Sequence, residues 1–235
     1  MSGDGCPAWW EAPEQVEKFA ARDPDVRLRR LLPSLDGPGP VRVLDLGCAA
    51  GRNTVLLARR GFDVWALDAS EAMVEETRRR LAALLGPEEA GRRVARGTMD
   101  DLGRFPSDAF RLVVALGIFH AARSAAEWNR AVGETARVLE AGGLALVASF
   151  APGTDLTGDG MTPVPGTRHV YRGAPSGPMF LLDAAGLDAA MARHGLRPVE
   201  ETETVRVESS PGRRVTVNGL YRRSETGPPA EEGRP

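Results

Sequence analysis

Short runs of apolar and β-branched residues alternate along the chain with longer segments whose apolar positions recur every three or four residues. That alternation is the signature of crossover units on a mostly parallel sheet. Residues 9–34 predict one or two amphipathic helices, with Val16 and Phe19 and then Val26, Leu28, Leu31 and Leu32 on the apolar face. A turn-rich linker at 36–40 ends them. VRVLDL (41–46) is the first strand, 53–60 a helix stopped by Gly61, and FDVWALD (62–68) the second strand. Ser70 then caps a helix reaching Leu85 through Val74, Thr77, Leu81 and Leu84, which Gly86 and Pro87 break.

RRVARG (92–97) reads as a short third strand, and FRLVVALGIF (110–119) as a central strand buried on both faces. Ser124 and Glu127 form a capping box for a helix to about Glu140, followed by the strand GGLALVASF (142–150). Residues 151–179 dissolve into Gly, Pro and Thr, which marks a lid or binding loop. A helix over 183–194 ends at Gly195, and segments 198–208 and 213–223 flank Pro211 and Gly212 as a closing antiparallel hairpin. The expected architecture is therefore α/β, a doubly wound, mostly parallel sheet with an antiparallel C-terminal hairpin. It divides into an N-terminal helical cap (1–40), a main domain (41–223) and a disordered tail (224–235) that lacks large apolar side chains.

A length of 235 residues suits one such domain, and 42% hydrophobic with 26% charged residues excludes a disordered, collagen-like or coiled-coil chain. A net charge of −2 disfavours a dedicated nucleic-acid binder. Lys18 is the only lysine, so lysine-based chemistry is not expected. The longest mainly apolar run, Leu112 to Phe119, has eight residues, against about 20 for a membrane span. With no secretory pattern at the start, a cytoplasmic location is expected. Cys6 and Cys48 read as free thiols, and no cluster has metal-ligand spacing.

The candidate chemistry lies in VLDLGCAAGRNT (43–54), where a strand runs into a helix through small residues. The dinucleotide fingerprint GxGxxG fails here, since Ala49 and Arg52 hold its second and third glycine positions. Asp45, Gly47 and Gly51 instead fit DxGxGxG with Ala49 at the middle glycine, a departure that matters if that residue needs a positive φ. Asp68 ends the second strand 17 residues after Gly51, near the offset at which a carboxylate grips ribose hydroxyls. Its other reading is a helix cap, for which Ser70 is better placed.

These features resemble the cofactor site of class I S-adenosylmethionine-dependent methyltransferases. GTMDDLGRF (97–105) is similar to the family's acidic segment bordering adenine, with Thr98 where Asp is usual, and the FRLVVALGIFH, ARVLEAGGLALVASF and GLDAAMARHGLRPVEE segments follow in family order. GRNT resembles the tellurite-resistance and thiopurine-type branch. The resemblance implies a Rossmann-like sheet of seven strands and S-adenosyl-L-methionine as cofactor. It implies cofactor contacts from Asp45, Gly47, Ala49, Gly51, Arg52, Asn53, Asp68, Ala69, Met99, Asp100 and Leu116. For Arg52 an exposed first-turn position, and for Asp100 a solvated acidic turn, stand as alternatives.

The sulfonium cofactor is already activated, so the protein must align donor and acceptor, exclude water and take up a proton where one leaves. His120, after the fourth strand, is the candidate base, against a structural role bonding backbone at the loop. Trp10, His169 and Tyr171 are candidates to hold the acceptor, against core packing for the tryptophan and plain exposure for the other two. The acceptor is expected to be a small molecule, because the charge is near zero and residues 151–179 can close a pocket. Two rivals stand beside methyl transfer: a non-catalytic cofactor-binding subunit, and a nicotinamide-dependent oxidoreductase.

Overall fold

The computed structural model describes residues 8–35 and 40–225. Cys6, most of the 36–40 linker and the tail beyond Glu225 lie outside the described residues. The chain opens with three short helices, α1 (Ala8–Glu11), α2 (Pro13–Ala20) and α3 (Val26–Leu31), and a 3-10 turn at Leu32–Leu35. Then come β1 (Arg42–Leu46), α4 (Arg52–Arg59), β2 (Asp63–Asp68), α5 (Glu71–Leu85), α6 (Pro87–Arg93), β3 (Val94–Arg96) and β4 (Phe110–Leu116). A 3-10 turn at Phe119–Ala121 leads to α7 (Ala125–Val138) and β5 (Leu139–Phe150). The remainder is β6 (Thr162–Pro163), β7 (Val170–Arg172), β8 (Met179–Phe180), α8 (Ala184–Ala192), β9 (Leu196–Pro198), β10 (Glu203–Ser209) and β11 (Gly212–Arg223).

The main sheet runs β10-β11-β5-β4-β1-β2-β3, with the short β9 also on β11. β3, β2, β1, β4 and β5 are parallel; β11 is antiparallel to β5 and to β10, so β10 points the same way as the first five. The chain reverses its strand order beside β1, and the β1, β2 and β4 ends meet at that switch point, where open α/β sheets bind ligands. Leu44, Leu46, Val113 and Ala115 bury one face of the sheet against α7 and α8, and Val43, Val64, Leu112 and Val114 bury the other against α3 and α4. Leu28, Leu32 and Leu35 belong to that second cluster, so α3 and the 3-10 turn after it are part of the domain core, whereas α1 and α2 bury no residue fully. No helix among the described residues is long and apolar enough to cross a membrane.

Three expectations change. Pro87 does not merely break a helix: it occupies the first turn of α6, where a missing N–H costs nothing. Residues 151–179 hold a three-stranded antiparallel sheet, β6-β7-β8, whose strands of two or three residues are too short to show a period of two. In the C-terminal hairpin, 198–208 splits into β9 and β10, and only 203–209 pairs as the hairpin arm.

Candidate cofactor and acceptor site

The turn from β1 to α4 is built on three left-handed residues, Gly47, Ala49 and Gly51, with φ of +74°, +46° and +77°. A Cβ on Gly47 would lie 2.9 Å from the Ile118 side chain, and one on Gly51 2.9 Å from Thr77, so both positions exclude a side chain twice over. Ala49 keeps its Cβ in a conformation that costs about 1–2 kcal/mol. Its neighbours hold it there: its N–H donates to Asp68 Oδ2 at 2.8 Å, and its carbonyl accepts from Thr77 Oγ1 at 2.6 Å.

The two acids therefore have different work. Asp45 is buried, and its Oδ2 accepts the Thr54 hydroxyl at 2.6 Å, which ties β1 to α4. Burial pushes its carboxyl up to about 6, against the Thr54 bond and the Arg52 charge. Asp68 is half-buried at the end of β2, and its second oxygen accepts the Ser70 N–H at 3.0 Å. Loss of water raises its pKa, the backbone donors of Ser70, Ala49 and Ala69 oppose this, and the Glu11 charge adds to the rise. Ser70, not Asp68, caps α5, its hydroxyl accepting the Met73 N–H at 3.2 Å.

The N-terminal helices are clamped across this end of the sheet at two points. Glu11 accepts the first N–H groups of α5, from Glu71 and Ala72, at 3.1 and 3.0 Å, and the Trp10 carbonyl accepts the Ser70 hydroxyl at 3.1 Å. At α4, Arg52 donates to the Asp23 carbonyl at 2.9 Å and Asn53 Oδ1 accepts the Asp25 N–H at 3.0 Å. Arg52 and Asn53 thus face the N-terminal cap. The Trp10 ring sits between Trp9 and Phe19, at centroid distances of 4.5 and 5.3 Å. Glu11 was not legible as a site residue, and Thr77 only as part of its helix's apolar face, because their partners lie far along the chain from them.

Of the other sequence candidates, Ala69 is half-buried and its carbonyl accepts Arg96 Nε at 3.0 Å. Met99 is buried, and Asp100 pairs with Arg130 of α7 at 2.9 Å. Desolvation works against the ionised Asp100, but the Arg130 and Thr98 bonds hold its carboxyl below the usual range. Leu116 is half-buried at the end of β4. His120, in the 3-10 turn that follows, is buried; its ring lies 4.5 Å from Phe150 and Nδ1 accepts the Phe150 N–H at 3.5 Å. Burial lowers its pKa to about 4, so the imidazole is neutral at pH 7.

The small sheet packs against the same turn. Val170, Met179 and Phe180 are buried, and Phe180 stacks on Trp128 of α7 at 5.8 Å. His169 is exposed with φ +66°, its ring 5.6 Å from Phe180, and Tyr171 is half-buried. The structure thus brings the glycine turn and Asp68 together, with His120 and the small sheet beyond the end of β4.

Residues 43–143 match a protein family described as a methyltransferase domain. No curated protein matches the chain in sequence. Among solved structures, a methyltransferase of Methanosarcina mazei described as S-adenosylmethionine-dependent is similar at TM-score 0.63 and 14% identity, over 86% of this chain and 99% of that one. The 1,6-didemethyltoxoflavin-N1-methyltransferase of Burkholderia thailandensis, with bound 1,6-didemethyltoxoflavin and S-adenosylhomocysteine, is similar at 0.59 and 17%, over 92% and 81%. The cyclase SpnF is similar at 0.63 and 17%, over 95% and 99%. At these identities the structures speak for the fold. The matched methyltransferase domain runs from β1 into β5 with the glycine turn near its start, and the fold of the chain is that of the S-adenosylmethionine-dependent methyltransferases.

Proposed function

We propose that this enzyme methylates a small molecule held between the end of β4 and the β6-β7-β8 sheet. The observation that carries the reading is the placement of that sheet: Phe180 and Val170 anchor it in the core beside Phe119–Ala121, over the sheet's carboxyl edge. A lid fixed in this way suits a compact acceptor better than a polymer, and the net charge of −2 agrees. The bound 1,6-didemethyltoxoflavin of the Burkholderia enzyme is a precedent on the same fold.

The residues fit the cofactor. At Gly47 and Gly51 the turn packs bare backbone against Ile118 and Thr77, and the Asp68 carboxyl keeps acceptor capacity beyond its two backbone bonds. In this reading the turn backbone and Asp68 hold the amino-acid and ribose portions, with Ala69, Met99, Asp100 and Leu116 along the adenosine. Bound there, the cofactor supplies a methyl group on a cationic sulfur. The chain aligns the acceptor and excludes water.

For His120 a pKa near 4 and an Nδ1 already facing the Phe150 amide make a weak base, so we assign it to holding the β4 end. His120→Ala is then expected to lower turnover by less than about tenfold, against the 10²- to 10⁴-fold of a lost general base.

The experiment is incubation of the enzyme with methyl-labelled cofactor and a fractionated metabolite extract, read by mass spectrometry. Label in a small molecule supports the reading. Label only in RNA or protein overturns it. SpnF, a cyclase on this fold, motivates a second reading, a reaction without methyl transfer. Acceptor turnover without label would favour it.

A further inference from the structure

β10 is the last strand of the main sheet, and every residue from Glu203 to Ser209 is exposed. Its outer edge has no partner strand among the described residues. Such edges are templates for pairing, and proteins that keep them free protect them. Here the edge carries apolar side chains. Val205 and Val207 are 39% and 41% exposed, opposite Thr216 and Arg214 of β11. That is the face on which the Asn218 side chain meets Arg27 of α3, and Val26, next to Arg27, is 56% exposed. Val199 bonds the Leu220 carbonyl and is also exposed on this face. These four valines are most of the large apolar side chains left exposed among the described residues; the others, Leu84 and Leu85, end α5.

We infer that β10 pairs with the β10 strand of a second copy of this chain, antiparallel about a twofold axis through Val207. Charge selects the occupant and the register. With the axis at Val207, Arg206 lies opposite Glu208 of the partner subunit, and the symmetry repeats the pair. Val207 meets the partner's Val207 and continues the apolar stripe. An axis through Arg206 sets arginine against arginine, and one through Val205 sets Glu203 against the partner's Val207 and forms no ion pair. Directly opposed like charges on paired strands are unfavourable, and opposite ones favourable, so the other registers are disfavoured. A net charge of −2 puts little repulsion between two copies. Pairing here continues the sheet through both subunits and leaves the carboxyl edge, where the site lies, open in each.

Sedimentation velocity of the full chain over a wide concentration range tests this. The wild type is expected to form a concentration-dependent dimer of 25.1 kDa chains. Arg206→Glu, which sets like charges against each other twice, is expected to weaken the dimer by at least about tenfold, and Glu208→Arg likewise. The double swap Arg206→Glu with Glu208→Arg restores opposite charges and is expected to return the dissociation constant to within about threefold of wild type. That rescue separates lost pairing from lost folding. A wild type that is monomeric at every concentration overturns the inference. So does a dimer indifferent to Arg206→Glu, and failure of the double swap overturns the register.

Discussion

His120 and Asp45 bias the pH dependence of stability in opposite directions. The buried imidazole titrates near 4 in the native state and at 6.5 when exposed. Between those values the unfolded chain binds a proton that the native state refuses, so this contribution is complete above pH 6.5 and is lost as pH falls toward 4. At about 1.4 kcal/mol per pKa unit, it amounts to about 3 kcal/mol. Asp45 has the reverse sign. Its carboxyl titrates near 6 when native and at 3.8 when exposed, so the native state binds the extra proton, and stability gained at low pH is lost as pH rises through this interval, again by about 3 kcal/mol. The two nearly cancel in the wild type. His120→Gln keeps an acceptor for the Phe150 N–H and removes the proton site; Asp45→Asn keeps one for Thr54. Urea denaturation of all three proteins from about pH 4 to 7 gives difference curves against wild type in which the shared carboxylate background drops out. His120→Gln is expected to gain about 3 kcal/mol relative to wild type as pH falls across the window, and Asp45→Asn to lose a similar amount. A flat His120→Gln difference curve would mean that the imidazole titrates as an exposed one, and would return His120 to the list of candidate bases.

Asp68→Ala removes the acceptor of two backbone amides as well as the proposed ribose contact, so it is expected to cost stability, about 2–4 kcal/mol, together with cofactor affinity. Thermal melts and calorimetric titration below the variant's melting temperature separate the two, and an unchanged melting temperature would contradict the geometry. Ala49→Gly relieves a left-handed alanine but frees the unfolded chain, for a net gain of about 0.5–1 kcal/mol and a rise of about 1–4 °C in melting temperature. A lower melting temperature would show that the alanine is not strained.

What the sequence reveals about the site depends on how far each side chain reaches. The left-handed turn was legible because small residues between a strand and a helix leave few backbone options, and the question raised at Ala49 is answered by its φ of +46°. Asp68 was legible as the acid at the end of β2, but its bond to the Ala49 N–H was not. Arg52 and Asn53 were legible at the start of α4, but their bonds to Asp23 and Asp25 were not, since those residues come to α4 only through the packing of Leu28 and Leu32. The central strands showed themselves as unbroken apolar runs. β6, β7 and β8 did not, because in so short a strand the stabilising contacts, such as Phe180 on Trp128, lie outside it. β10 was expected from the alternation Thr204, Val205, Arg206, Val207, Glu208, yet that pattern does not say that both faces stay exposed.

The central claim is that the turn over 47–51 and Asp68 form an adenosine site without pyrophosphate recognition. Isothermal titration of the purified chain with S-adenosylhomocysteine and, separately, with NADH tests it most directly. One equivalent of S-adenosylhomocysteine is expected to bind, with affinity weakened by Asp68→Ala, while NADH gives no heat of binding. Saturable binding of NADH, with none of S-adenosylhomocysteine, would contradict the account.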